Sequence, residues 1–216
     1  MEKLDLRKQY KHLYAPSPKK VEVVDVPAFK FVMIDGQIEE GRGPGTSPGF
    51  QEAVQALYSA SYTLKFMSKQ REVDPIDYGV MALEGLWFVE DGVFVITKPD
   101  NWHYTLLMMQ PDHIDEALFR EALAQLEGKK QPSPALSRLR LTSFHEGLSV
   151  QTLHVGPYAT EPKTVARMHA FAAEQGYRLA GTHHEIYLGD PLRSAPDKLK
   201  TILRHAIVPE HSEPGA

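Results

Sequence analysis

No cysteine occurs anywhere in the 216 residues. That absence excludes a disulfide framework, a thiolate metal site and a cysteine nucleophile, and it fits a reducing, cytoplasmic setting. Long apolar runs are missing too. Nothing approaches the ~20 residues of a membrane-spanning helix, and the opening Met1-Glu2-Lys3-Leu4-Asp5-Leu6-Arg7 has no apolar core of leader length. Positive charge is in deficit, with 24 lysines and arginines against 28 acids and a formal net charge of -4. The diffuse basic field of a nucleic-acid binder is therefore absent, and a charged small ligand is expected to be a cation. The Gly-rich run from Gly41 to Gly49 lacks both the Gly-Lys-Ser/Thr ending of a phosphate loop and GxGxxG spacing, so it reads as a loop. No GxSxG elbow offers a serine nucleophile. About 20 residues precede the first strand region, too few for a helix-turn-helix, so direct DNA binding is not expected.

What is present is enough apolar sequence for a sizeable core: 42% hydrophobic residues beside 24% charged ones. Residues 1-20 read as a short, solvated helical arm ending at Pro16 and Pro18. Phe29 to Ile34 reads as a strand. Val54, Leu57, Tyr58, Ser61, Leu64 and Met67 recur at helical spacing. Residues 78-89 predict a long strand interrupted at Gly85, where the backbone is expected to be closely approached. Val93 to Ile96 and Trp102 to Met109 continue the sheet, and a helix follows with Asp112 as its cap. After a polar junction at 129-134 the order repeats: a strand at 148-155, a helix at 162-175, a strand at 181-189, a turn at Asp190-Pro191 and a closing strand at 199-208. Lys198, Lys200 and Arg204 read as a solvated basic edge.

Each half thus predicts strand, helix, strand, strand. The fold class is α+β, a tandem duplication within one domain, with repeats at about 20-128 and 135-210 whose two sheets meet across a central cleft.

The most informative stretch is Gly181-Thr182-His183-His184-Glu185-Ile186-Tyr187-Leu188-Gly189. Strand alternation puts His183, Glu185 and Tyr187 on one face, and His184, Ile186 and Leu188 on the other. A mid-strand carboxylate must be paired, hydrated or lining a cavity; Glu185 is read as lining one. Only His183 and Glu185 could share an ion, because neighbouring strand residues point oppositely, and no metal or cofactor is expected. Tyr78, Trp87, Trp102, Tyr104, Tyr158 and Tyr187 lie on or beside predicted strands, and several together would make an aromatic trap for flat, lipophilic or cationic molecules. A carboxylate among such walls can act as a general base on water, while a phenol such as Tyr158 or Tyr187 donates to an oxygen gaining charge. His154 and His183 are candidate helpers, although His154, sharing its face with Leu148 and Val150, also fits a structural role.

Leu83-Glu84-Gly85-Leu86-Trp87, His154-Val155-Gly156-Pro157-Tyr158, and His184 through Pro191 with Lys198-Leu199-Lys200-Thr201 together resemble the stand-alone GyrI-like small-molecule-binding proteins. Asp5-Leu6-Arg7 to Tyr14 and Met33-Ile34-Asp35-Gly36 extend the likeness over nearly the whole chain. The resemblance implies a pseudo-twofold cleft for hydrophobic ligands. It places the catalytic or counter-charge glutamate at Glu185, with Tyr158, Tyr187 and Trp87 as pocket aromatics. Glu84 holds the corresponding place in the first half. Some such proteins hydrolyse the strained cyclopropane of DNA-alkylating natural products, a detoxification; others bind lipophilic cations or inhibit DNA gyrase. No surface for a protein partner such as gyrase is legible. The extended loop from Glu39 to Pro48 departs from the pattern.

Overall fold

The computed structural model describes residues 2-92, 94-98, 101-189 and 193-210. Along the chain run β1 (Glu2–Leu4), α1 (Leu6–Gln9), α2 (Lys11–Tyr14), β2 (Glu22–Val26), β3 (Phe29–Gln37), α3 (Pro48–Gln70), β4 (Ile76–Tyr78), β5 (Leu83–Phe88) and β6 (His103–Gln110). They are followed by α4 (Glu116–Glu127), β7 (Arg140–Phe144), β8 (Gly147–Val155), α5 (Glu161–Glu174), β9 (Tyr177–Tyr187) and β10 (Lys200–Pro209).

Eight strands form one antiparallel sheet in the order β2, β8, β10, β9, β5, β6, β3, β7. The order is mirrored about its middle: β8, β10 and β9 lead inward from one side as β3, β6 and β5 do from the other. The expected meeting of two sheets is corrected to a single sheet, because β5 and β9 bond edge to edge, with Gly85 opposite Glu185 and Trp87 opposite His183. Two strands that the sequence pattern does not signal, β2 and β7, complete the edges. Each crosses to the other half, β2 onto β8 and β7 onto β3. Both are short, and the burial of β7 does not alternate cleanly.

Cross-strand partners share a face, so the register sorts the core. One face carries Val32, Ile34, Tyr104, Leu106 and Met108 beneath α3 and α4. The same face carries Val150, Leu203 and Ile207 beneath α5. The opposite face packs Phe31, Met33, Leu107, Ile186 and Ile202 against Leu6, Leu13 and Tyr14 of the N-terminal arm. The arm is therefore a buried cover and not a solvated lead-in. Helix α3 starts where the Ser47 hydroxyl accepts from the Phe50 amide at 3.1 Å with Pro48 in the first turn. It buries Ala53, Leu57, Ala60 and Leu64 at i, i+4, i+7, i+11 spacing, each leucine contributing about 2 kcal/mol of burial. Helix α4 is capped by Asp115, which accepts from the Leu118 amide at 2.8 Å, three residues later than the expected Asp112.

The predicted strand at 78-89 is broken. Tyr78 ends β4, which pairs with β1 in a separate two-stranded sheet, and the main sheet resumes at Leu83. Val93 lies outside the described residues, and Phe94, Val95 and Ile96 form no strand. Ile96 instead packs against the core clusters under both α3 and α5. Arg204 is buried, a correction to the solvated basic edge that only Lys198 and Lys200 form. The predicted turn at Asp190-Pro191 lies outside the described residues.

Candidate active site

The strands β5 and β9 meet at the middle of the sheet, where Trp87, His183 and Glu185 are buried. Gly85 has no side chain opposite Glu185. A Cβ at that position would stand 2.9 Å from Trp87 Nε1 and 3.3 Å from the Tyr187 hydroxyl. The missing side chain lets the Trp87 indole N–H cross to donate to Tyr187 Oη at 2.9 Å, and Tyr187 in turn donates to Glu185 Oε2 at 2.8 Å. On its other side Glu185 Oε1 lies 3.2 Å from His183 Nε2. Glu185 is 7% exposed. Burial, then the Glu185 charge, hold the Tyr187 hydroxyl well above the usual phenol range, so it stays a donor.

A second carboxylate stands beside it. Glu161, in the first turn of α5, is buried; Thr201 bonds its carboxyl, and its Oε1 has no hydrogen-bond partner among the described residues. Burial and then the charge of Glu185 push its pKa up to about 8, against the Thr201 bond. At neutral pH Glu161 carries the proton.

Rings close the rest of the site. Phe94 stacks on His183 with centroids 5.6 Å apart and lies 5.0 Å from Trp102, which is 5.4 Å from Trp87. His205 of β10 sits between His183, at 6.1 Å, and His169 of α5, at 5.2 Å. Burial, with the nearby imidazoles, lowers His169 to about 4 and His205 to about 3. Trp102 Nε1, His169 Nε2 and His205 Nδ1 also lack hydrogen-bond partners among the described residues. Such orphaned buried atoms mark places for water or a ligand.

The reverse side of the same strands is complete. Glu84 accepts from the Tyr14 hydroxyl at 2.8 Å and meets His184 Nε2 at 2.9 Å. His184 Nδ1 lies 3.0 Å from Glu146, which Arg204 also contacts at 3.3 Å. Arg204 is further held by Gln151 and by the Leu13 carbonyl. Burial opposes charge on His184, but Glu146 and Glu84 outweigh it and lift the imidazole to about 9. Burial likewise opposes ionisation of Glu146, and the His184 and Arg204 charges outweigh it, holding the acid at about 2.

Of the residues singled out in the sequence, Glu185, Tyr187, His183, Trp87 and Trp102 come together. Tyr158, 39% exposed, stands at the rim with its ring edge-on to Tyr187 at 6.1 Å. Tyr104 packs edge-on against Trp87 but lies deep in the core, over Gly36. Tyr78 bonds Gln110 under α3 and faces His113. His154 is tied to Thr164 Oγ1 at 2.9 Å and to the Pro157 carbonyl at 3.3 Å, the structural role. Glu84 belongs to the reverse side. Sequence reasoning missed Glu161, His169, His205 and Phe94. Glu161 stands just before Pro162, where an acid reads as ordinary helix-start composition, and the two histidines occupy inward positions of their elements that alternation alone marks as core.

Two open hollows lie elsewhere. One of about 350 Å³ is lined by Glu90, Lys98, Asn101 and His103, and one of about 420 Å³ lies between α3 and α4 at Met67, Arg71, Leu118 and Gln125. No helix among the described residues is long and apolar enough to cross a membrane.

Comparison with known proteins gives this geometry a setting. The GyrI-like small molecule binding domain matches residues 19–206. A solved structure of an uncharacterized conserved protein from Listeria innocua is 38% identical, with a TM-score of 0.85, over 95% of this chain and 100% of that one. A hydrolase from Listeria innocua is 37% identical, with a TM-score of 0.80 over the same shares of the two chains. The C-terminal domain of EcmrR, 11% identical with a TM-score of 0.53 over 88% of this chain and 98% of that one, shares the fold alone. No curated protein matches the chain.

Proposed function

The chain belongs to the GyrI-like small-molecule-binding family, and from that premise we propose that it hydrolyses strained, cyclopropane-containing lipophilic electrophiles with water activated by Glu185. The supporting observation is the pair of unlike acids, one held by Tyr187 and His183 and the other with an unbonded oxygen. The hydrolase from Listeria innocua, at 37% identity, points the same way.

In the proposed step, Glu185 takes a proton from water as the oxygen attacks the cyclopropane CH2. The strained C–C bond breaks, and its electron pair moves into the fused dienone, whose oxygen becomes phenolic. Glu161, protonated at neutral pH, supplies a proton to that oxygen. Tyr187 has its hydrogen committed to Glu185, so its role is to aim the base, while Tyr158 lines the rim. Aromatisation drives the reaction, and the protein supplies position and charge.

Glu185→Gln keeps the shape and the Tyr187 contact but removes the base. Turnover of a dienone-fused cyclopropane probe, followed by mass spectrometry for the water-added product, is expected to fall at least about 100-fold while the probe still binds. Full turnover in the variant would refute the role of Glu185. A second reading, sequestration of lipophilic cations, is favoured by the same acids among Trp87, Phe94 and Trp102. Binding by the wild type with no water-added product would select it.

A further inference from the structure

We propose that His205 and His169 extend the hydrogen-bonded pair Glu185–His183 into a proton path that leads from the buried base to the partly exposed His169 of α5. The proposal rests on Glu185 acting as the base on water. A base there has little direct contact with bulk solvent, since its side chain is only 10% exposed and Phe94 lies flat on the His183 ring beside it, and a bound substrate would cover what remains.

The geometry supplies another way out. His183 Nε2 is in contact with Glu185, the His205 ring follows at 6.1 Å and the His169 ring at 5.2 Å beyond that. His169 is only partly buried, so the series ends near water. Rings at these separations touch, so a water that joins their nitrogens would sit beside each pair and not between the rings. The two nitrogens that such waters would join, His205 Nδ1 and His169 Nε2, are the ones with no partner among the described residues.

The backbone is shaped to build the series. On β10, His205 pairs with His183 and Ala206 with Ala180, so Gly181 and Thr182 are extra residues bulged out of β9. Gly181 takes φ +67°, a conformation in which an L side chain is strained. A bulge re-aims the side chains beside it, and this one stands where His183 and His205 meet. The proton balance closes: the proton taken from water by Glu185 leaves through the imidazoles to solvent, and Glu161, having given its own to the substrate oxygen, regains one from solvent. His205 and His169 are thus positioning and relay residues, not groups that touch the substrate.

The test uses the whole chain labelled with 15N at histidine. In the ligand-free protein, Glu185→Gln is expected to move the ring nitrogen signals of His183, His205 and His169 together and leave His154 unchanged. If His183 alone responds, the path does not exist, and this outcome is readable even if no turnover is found and the hydrolytic reading fails. In turnover, His205→Phe, which keeps a ring of similar depth, is expected to lower kcat about tenfold or more with KM unchanged and a larger solvent deuterium isotope effect on kcat. An unchanged kcat and isotope effect would overturn the proposal. His169→Phe, nearer the surface, repeats the measurement should the first variant fold poorly.

Discussion

His184 and Glu185 are neighbours in the chain, yet they live under opposite rules because β9 turns one to each side of the sheet. On the His184 side, two acids and two bases are knitted together with the N-terminal arm, and no polar atom of that network is among the unpartnered ones. On the Glu185 side, two acids stand together, and four polar atoms around them have no partner among the described residues. Equal burial therefore has two meanings. Charges that are fully matched hold strands together, whereas polar groups left short of partners need an occupant. The comparison ties the first side to stability and marks the second as the candidate site, and it can be broken by substitutions that act on the wrong one.

The largest effect is expected from Arg204→Met. It removes the cation that faces Glu146 and the donors to Gln151 and the Leu13 carbonyl, leaving a buried acid poorly matched. Breaking such a buried pair costs about 3–5 kcal/mol, read as a lower denaturant midpoint. A variant as stable as the wild type would show that the reverse side is not what holds the sheet.

The pH dependence separates the two sides next. His184 is raised to about 9, so its contribution is complete below pH ~6.5 and is lost as pH climbs through 9. Glu146 is lowered to about 2, so its contribution is present above pH ~4.5 and is lost as pH falls toward 2. His169 and His205, held neutral, add a loss of stability as pH falls below ~6.5. Chemical denaturation across pH 3 to 9 should show weakening at both ends, and His184→Phe should remove the part of the alkaline loss that lies between pH 8 and 9, above the range of Glu161. A smaller loss, about 1–2 kcal/mol, is expected for Tyr14→Phe, which takes one donor from Glu84 and loosens the arm.

Much of this was legible in the residues, and the failures share one cause. Strand alternation alone placed His183, Glu185 and Tyr187 together, and the helical spacing from Val54 to Met67 gave α3. Alternation says nothing about what covers a face. It could not tell that the arm ending in Tyr14 closes the side of His184, or that Phe94 folds over the site instead of extending the sheet. Nor does it carry information across the sheet. The pairing of Glu84 with His184 depends on β5 lying against β9, residues about 100 positions apart. Glu161 was hidden for the same reason, since only the packing of α5 brings it to Glu185.

Glu161→Gln sharpens the comparison, with its smallest effect on stability near pH 5. A buried carboxyl whose pKa is raised from 4.5 to about 8 holds its proton longer in the folded state than in the unfolded one. The wild type must then lose stability as pH rises from ~4.5 to 8, because the unfolded chain releases that proton more readily. Glutamine keeps the shape and cannot ionise, so the variant lacks that slope. Near pH 5 the two proteins should agree within about 0.5 kcal/mol, and toward pH 8 the variant should become the more stable. Midpoints measured at both pH values decide the matter: a variant that is less stable at pH 8 would mean that Glu161 is matched like the acids on the reverse side. The gain would set Glu161 apart from the matched acids of the reverse side, since glutamine relieves the cost of ionising a buried carboxyl beside Glu185.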